Sequence, residues 1–304
     1  MGAVNWEDPW LSWRARAQVA RWLGSLWTRP ASGSVGDWLD AWFTDPDARA
    51  IGDAMVRLTT YANDPGLDAA VVAPQVAAGM RGVAYLDGGW QTLVESLADR
   101  AREARVTLRT STPAVRAEEG RVVLQDGEVP ADRIVLAVPP GGAAGLLPDA
   151  PSLAERAHEA LPVKAACLDL MLRGHPDPAR PVILGLDRPL YVSVHSTAAD
   201  LAPAGITVAH AAWYRAPGDT SDRRPDVEAA LDTVWPGWRD STVHARYLPS
   251  MAVQHDTPRP ERPTGTTVQE RPDVQLVGAW TGGLLLDGAL ASAYAATHAR
   301  RAAA

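Results

Sequence analysis

The chain has 304 residues, 46% of them apolar and 21% charged, enough to bury a sizeable core as one large domain or two intertwined lobes. A formal net charge of −7 excludes the basic footprint that a nucleic-acid partner requires, and the single cysteine, Cys167, excludes an intrachain disulfide or a cysteine-rich metal centre. No apolar run approaches the ~18 residues of a membrane span, and no basic stretch followed by an apolar one opens the chain, so the expectation is a cytoplasmic protein without a transmembrane segment.

The first 60 residues read as helical. Trp6, Trp10, Trp13, Ala17, Ala20 and Trp27 fall at helical spacing and mark one stripe, read as core-packing in preference to a membrane-surface or partner-docking face. Residues 48–62 resume a helix with Ile51, Met55, Leu58 and Thr59 on one face, and Asn63–Gly66 is a turn. After Gly79 the pattern changes. A turn at Asp87-Gly88-Gly89, with Asp87 as the expected N-cap, opens a helix whose buried face is predicted to be Leu93, Val94, Leu97, Ala101 and Ala104. Strands are predicted at Val106–Arg109, Ala114–Ala117 and Arg121–Gln125. Arg133–Val138 reads as a strand covered on both faces, and Pro139–Gly142 ends it. Further strands are predicted at Val163–Leu172, Leu190–His195, Ile206–Ala212 and Thr242–Tyr247, with a helix at Asp226–Trp235. Residues 256–273 read as an exposed connector, Val274–Val277 as a last buried strand, and Asp287–Arg301 as a final alanine-rich helix capped by Asp287.

Three of these stretches, in this order, resemble one family. They are Gly82–Trp90 with its helix, Val106–Thr112 followed by Ala131–Pro140, and Val274–Trp280 leading to Gly288–Ser292. Together they are similar to the later two-thirds of the FAD-dependent amine oxidase and phytoene desaturase superfamily over residues 50–304. The resemblance implies a mixed α/β fold in which an incomplete FAD-binding Rossmann-like sheet carries a substrate domain of sheet and helices. The implied division is a helical part of the substrate domain at 1–78, an FAD-domain portion at 79–150, the substrate-domain sheet at 151–255, and a C-terminal FAD-domain strand and helix at 256–304. FAD would lie over the carboxyl ends of the parallel strands. The resemblance places Thr112 near the adenine, and Ala137 and Pro139 at one strand end. It places Gly278, Ala279 and Trp280 at the other, and Asp287, Gly288 and Ala289 at the start of a helix whose N-terminus faces the flavin ring. His195, Tyr61 and Tyr191 are the candidate substrate contacts. For each of these three, ordinary structural packing is the competing reading.

Two departures qualify the resemblance. No Gly-x-Gly occurs anywhere in the 304 residues, so the turn that cradles a dinucleotide diphosphate has no counterpart. Ala279 stands where the family usually has an aspartate that accepts a ribityl hydroxyl. The expectation is therefore a truncated or split FAD-dependent oxidoreductase that moves hydride from an apolar or amine substrate to flavin. A second chain, or a segment preceding this one, would supply the diphosphate site. The alternative is a non-catalytic remnant that binds a small molecule or partners a flavoenzyme without FAD of its own. No catalytic residue is assigned, and neither a metal site nor a Gly-x-Ser-x-Gly elbow has support.

Overall fold

The computed structural model describes residues 11–174, 180–262 and 264–298. The chain opens with four helices, α1 (Trp13–Ser25), α2 (Val35–Trp42), α3 (Pro46–Thr60) and α4 (Ala69–Gly79), each preceded by a serine or aspartate cap. Ser12 Oγ accepts from the Ala15 N–H at 3.0 Å, Ser34 Oγ from Asp37, and the carboxylates of Asp45 and Asp68 from Ala48 and Ala70. These caps satisfy donors that a helix cannot satisfy internally. The helices share one core in which Trp22 meets Trp38 and lies edge-on to Phe43, with Val19, Leu39, Val72 and Val76 around them.

That core uses a different stripe from the one expected. Ala15, Val19, Trp22 and Ser25 are buried, whereas Trp13 is 82% exposed and Ala17, Ala20 and Trp27 also face outward. Both faces of α1 carry apolar residues, so periodicity alone did not select the phase. Trp6 and Trp10 lie outside the described residues.

Next comes α5 (Trp90–Glu103), which buries none of its residues; Val94 and Leu97 are 55% and 62% exposed. The predicted apolar stripe exists, but Val94, Leu97 and Ala104 on it are exposed, and only Leu93 and Ala101 are partly buried. Its N-cap is Gly89 rather than Asp87, whose carboxylate instead accepts the Asp200 N–H at 2.8 Å. Residues 106–109 belong to no strand, so the strand predicted there does not form. An antiparallel meander follows, β1 (Ala114–Glu118), β2 (Arg121–Leu124) and β3 (Gly127–Pro130), and then β4 (Ile134–Leu136), α6 (Pro140–Leu146) and α7 (Pro151–His158).

The largest sheet comprises β5 (Val163–Arg173), β6 (Val182–Leu184), β7 (Leu190–Val194), β8 (Ile206–Tyr214) and β9 (Thr242–Gln254), antiparallel throughout in the order β6-β7-β8-β5-β9. Its strands alternate with period two. Leu168, Leu170 and Leu172 of β5 turn to one face and pack against Leu231, Val234 and Trp235 of α8 (Arg224–Val234) and its C-terminal end, and against Trp238 of α9 (Trp238–Ser241). The other face carries Cys167, Asp169 and Met171.

The chain closes with β10 (Val274–Leu276), α10 (Ala279–Gly282) and α11 (Leu285–His298). β10 pairs in parallel with β4, Val274 opposite Ile134 and Leu276 opposite Leu136, and Gln275 also forms an isolated antiparallel bridge with Thr267. One face of this pair packs on α6, α7 and Trp280. On the other, Val135 is 49% exposed, so the expectation of a strand covered on both faces fails. The connector is also less exposed than predicted. Asp256, Thr257 and Val268 are buried, and Asp256 accepts the N–H groups of Leu161 and Thr257 and pairs with Arg262.

Candidate active site

A cavity of about 710 Å³ lies between the cavity-facing side of the large sheet, the chain from Val83 to Leu93, and the N-terminal turn of α11. Its wall is mainly apolar, as small-molecule sites are. Three candidate substrate contacts, His195, Tyr61 and Tyr191, all line it, together with Tyr85 and Tyr214. Tyr61 follows the last residue of α3 in a left-handed conformation, φ 58°, which is uncommon for a residue with a Cβ. There its ring meets that of Tyr214 at 6.2 Å, and Tyr191 stacks on Tyr214 at 6.4 Å. Burial raises the phenol pKa of all three, so each hydroxyl stays protonated at neutral pH.

His195 ends β7 in a single helical turn, where Ser196 Oγ accepts the Val208 N–H at 3.0 Å and ties that turn to β8. Its ring lies 5.2 Å from Tyr85 and 4.4 Å from His210, and Tyr191 Oη is 3.5 Å from His195 Nε2. Burial, and then the neighbouring His210, push the His195 pKa down to about 4, so the ring is neutral at pH 7.

Sequence reading missed the most polar element of the site. Asp169 on β5 stands directly opposite His210 on β8, and its carboxylate meets His210 Nδ1 at 2.8 Å. Its second oxygen accepts from Arg246 Nη2 of β9 at 2.9 Å. The His210 hydrogen bond, ahead of Arg246, holds the Asp169 carboxyl below the usual carboxylate range. An aspartate on the cavity face of an otherwise apolar strand was the available signal, but its partner is 41 residues away and only strand register joins them. Cys167, on the same face, has its thiol pushed up to about 11, chiefly by burial, and stays protonated.

The residues expected near FAD divide into two groups. Gly278, Ala279, Trp280 and Gly288 come together where the β10 strand end meets the α10–α11 elbow, and Trp280 Nε1 donates to the Val138 carbonyl at 3.1 Å beside Pro139. Ala289 follows in the first turns of α11, and Ala137 and Pro139 lie exposed at the end of β4. Leu286, in the first turn of α11, lines the cavity, so that helix end adjoins it, with the Leu285 N–H already held by Gln254 Oε1 at 2.9 Å. Asp287 is exposed within that first turn and does not cap the helix, which begins at Leu285. Thr112 is exposed and apart, donating only to the Thr110 carbonyl at 3.0 Å among the described residues.

Gly278 does not open its backbone to a ligand as expected. Its N–H donates to Ser292 Oγ at 2.9 Å and its carbonyl accepts from the same hydroxyl. Its φ of 141° suits glycine, and an added Cβ would meet Trp280 Cδ1 at 3.0 Å. The chain therefore fits the ring end of a flavin, through a helix N-terminus at an apolar cavity. It does not fit the diphosphate end, for which no glycine-rich nest exists in the sequence.

Residues 24–167 match the family of flavin containing amine oxidoreductases. No curated protein sequence shows significant similarity to the chain. Among solved structures, an oxidoreductase from Methanosarcina mazei superposes with a TM-score of 0.76 at 16% identity, covering 95% of this chain and 73% of that one. Cyclohexylamine oxidase from Brevibacterium oxydans gives 0.63 at 14% identity over 98% of this chain and 77% of its own. A putative protoporphyrinogen oxidase from Exiguobacterium gives 0.62 at 17%, covering 97% and 74%. At these identities the likeness is one of fold.

Proposed function

We propose, from the match of residues 24–167 to the flavin containing amine oxidoreductases, that the chain forms the substrate cavity and the flavin-ring side of an FAD-dependent oxidoreductase. When bound, the flavin would accept hydride from a C–H bond of an apolar or amine substrate. The chain's own part is to enclose that substrate among tyrosines, exclude water from it, and offer the positive end of α11 to the ring. The observation that carries this reading is the coincidence of an apolar cavity with the first turn of α11 in its wall.

The diphosphate cradle would come from polypeptide outside the described residues, on a second chain or a further segment. The exposed stripe of α5, the segment 106–109 outside any strand and the open face of β4 support that reading. All three lie between residues 90 and 136, within the part that resembles an FAD domain, and each is a surface that a βαβ unit covers.

Titration of the purified chain with FAD and with riboflavin tests this. A protein that holds only the ring end binds both weakly and with affinities within about threefold, because the diphosphate adds nothing. Ala279→Asp is expected to tighten both about tenfold by restoring a ribityl acceptor, about 1.4 kcal/mol. Tight binding of FAD with a hundredfold preference over riboflavin would overturn the missing-cradle reading.

A second reading, small-molecule binding without flavin, draws support from Ala279 and from the use of both Gly278 backbone groups by Ser292. Its signature is an apolar ligand bound in the cavity and no response to either flavin.

A further inference from the structure

The tryptophan stripe of α1 serves neither the helical core nor the cavity. The outward face of α1 is Trp13, Arg14, Ala17, Ala20, Arg21 and Gly24, spaced as one side of a helix, and Trp27 follows on that side in the turn after it. Trp13 and Trp27 are 82% and 51% exposed, although few side chains gain more from burial. By helical rise the two stand roughly 20 Å apart. Between them Ala17, Ala20 and Gly24 are small and exposed, and a Cβ added at Gly24 would meet nothing.

The same face is basic in an acidic molecule. The net charge of the chain is −7, yet residues 9–36 hold four arginines and no aspartate or glutamate. Arg14 and Arg21 line a groove of about 390 Å³ between α1 and the C-terminal end of α2, with Trp13, Gln18, Trp42 and Thr44 around it and no carboxylate in its wall. Arg14 Nη2 donates to Thr44 Oγ1 at 3.3 Å, and Arg21 has no hydrogen bond or ion pair among the described residues. The neighbouring acids are engaged elsewhere. Asp40 pairs with Arg49, and Asp45 caps α3 through the Asp47 and Ala48 N–H groups. Two exposed guanidinium groups without a counter-ion, beside aromatic rings, leave a groove that fits an oxyanion.

We propose that α1 docks the protein on a membrane surface containing anionic phospholipid, with Trp13 and Trp27 entering the interface and Arg14 and Arg21 holding headgroup phosphate in the groove. The arrangement favours a bilayer over a protein partner. Tryptophan settles at the headgroup level of a bilayer, and arginine lays its stem along apolar surface while its head reaches phosphate. Two rings on one side of a helix meet a plane together. A protein groove instead reads apolar anchors at successive turns, and only alanine and glycine stand between these tryptophans. The acidic remainder of the molecule is repelled by the same lipids, so the field of the whole chain turns α1 toward them. The helix lies on the surface and does not span it, since among the described residues no helix is long and apolar enough to cross a membrane. This inference depends neither on flavin nor on the cavity.

Flotation of the full chain with lipid vesicles tests the proposal. Vesicles of phosphatidylcholine and phosphatidylserine should bind it at least about tenfold more tightly than phosphatidylcholine alone. Arg14→Gln and Arg21→Gln should each weaken binding to the anionic vesicles about fivefold, the effect of one basic residue near such a surface. Molar salt should remove the preference, because the screening length falls to about 3 Å. Trp13→Ser and Trp27→Ser should weaken binding to both kinds of vesicle by about threefold to tenfold, since they remove apolar area and no charge. All four side chains are exposed, so the variants keep the fold. Arg100→Gln with Arg188→Gln removes the same charge from exposed sites elsewhere and should change binding less than about twofold. Equal binding to neutral and anionic vesicles, binding to neither, or a control pair as damaging as the α1 pair overturns the inference. So does a protein occupant in place of lipid, seen as self-association that Trp13→Ser abolishes, or as binding to polyglutamate, without binding to vesicles.

Discussion

The large antiparallel sheet and the segment from α5 to β4 both carry regular apolar faces but meet opposite fates. In the sheet, Leu168, Leu170 and Leu172 are buried by α8, and the reverse face encloses a cavity. In the other region, α5 carries a regular stripe on which Val94 and Leu97 stay exposed, and a parallel pair of strands exposes Val135. The difference shows that amphipathic pattern specifies a face but not its occupant. An antiparallel meander completes itself locally, whereas a parallel sheet depends on elements brought from elsewhere in sequence.

The sharpest way to break this contrast is a pair of leucine truncations. Leu170→Ala removes a side chain that is 1% exposed and should cost about 2–5 kcal/mol in urea unfolding. Leu97→Ala removes one that is 62% exposed and should change stability by less than about 0.5 kcal/mol. A comparable loss from both would mean that α5 is packed in solution and that the bare face is not bare.

The joint between the regions offers a smaller effect. Gln254 at the end of β9 is buried, donates to the carbonyls of Asp256 and Gly283 at 2.7 and 3.1 Å, and accepts the Leu285 N–H at 2.9 Å. It fastens the sheet to the α10–α11 elbow and fixes the first turn of α11 beside the cavity. Gln254→Ala strips three buried groups of partners and should cost about 1–3 kcal/mol. It should also speed amide exchange at Gly283 and Leu285 relative to β5, since opening of the elbow then precedes global unfolding.

These contrasts explain what could be read in the sequence. The strands β1, β2, β5, β7 and β8 were legible as runs rich in Val, Leu and Ala, and β1–β2 and β7–β8 pair with near neighbours in sequence, whereas the partners of β5 are distant. The phase of α1 was not, since Trp13 and Trp22 are equally apolar and only tertiary contact chooses between them. The burial of α5 was misjudged because Val94, Leu97 and Ala104 of its stripe stay exposed. In the cavity, His195, Tyr61 and Tyr191 were singled out from strand ends and aromatic character. Asp169 and His210 were not, because their pairing depends on the β5–β8 register, which sets Asp169 opposite His210 and Cys167 opposite Ala212. Sheet register is fixed by the whole hydrophobic pattern and is not visible at any single residue.

The smallest expected effect is a pH dependence that separates the cavity from the rest of the molecule. His195 has its pKa pushed down to about 4, first by burial, against about 6.5 in an unfolded chain. Between those values the unfolded state binds a proton that the folded state does not, so stability falls as pH drops from about 6.5 toward 4 and is unaffected by this group above that window. Asp169 acts in the same direction at lower pH. Its depressed carboxyl pKa contributes stability that is present above the unfolded value near 4 and is lost as the carboxylate protonates in the folded state. The His195 contribution should give a slope below about 1.4 kcal/mol per pH unit, because the ring remains partly open to solvent through the cavity. His195→Gln should flatten urea-derived stability between pH 6.5 and 4 while leaving the acid limb due to Asp169 in place. A ligand filling the cavity through a bond to neutral His195 should steepen the wild-type slope and leave that of the variant unchanged. An unchanged wild-type slope with ligand bound would mean that the ligand does not engage this ring.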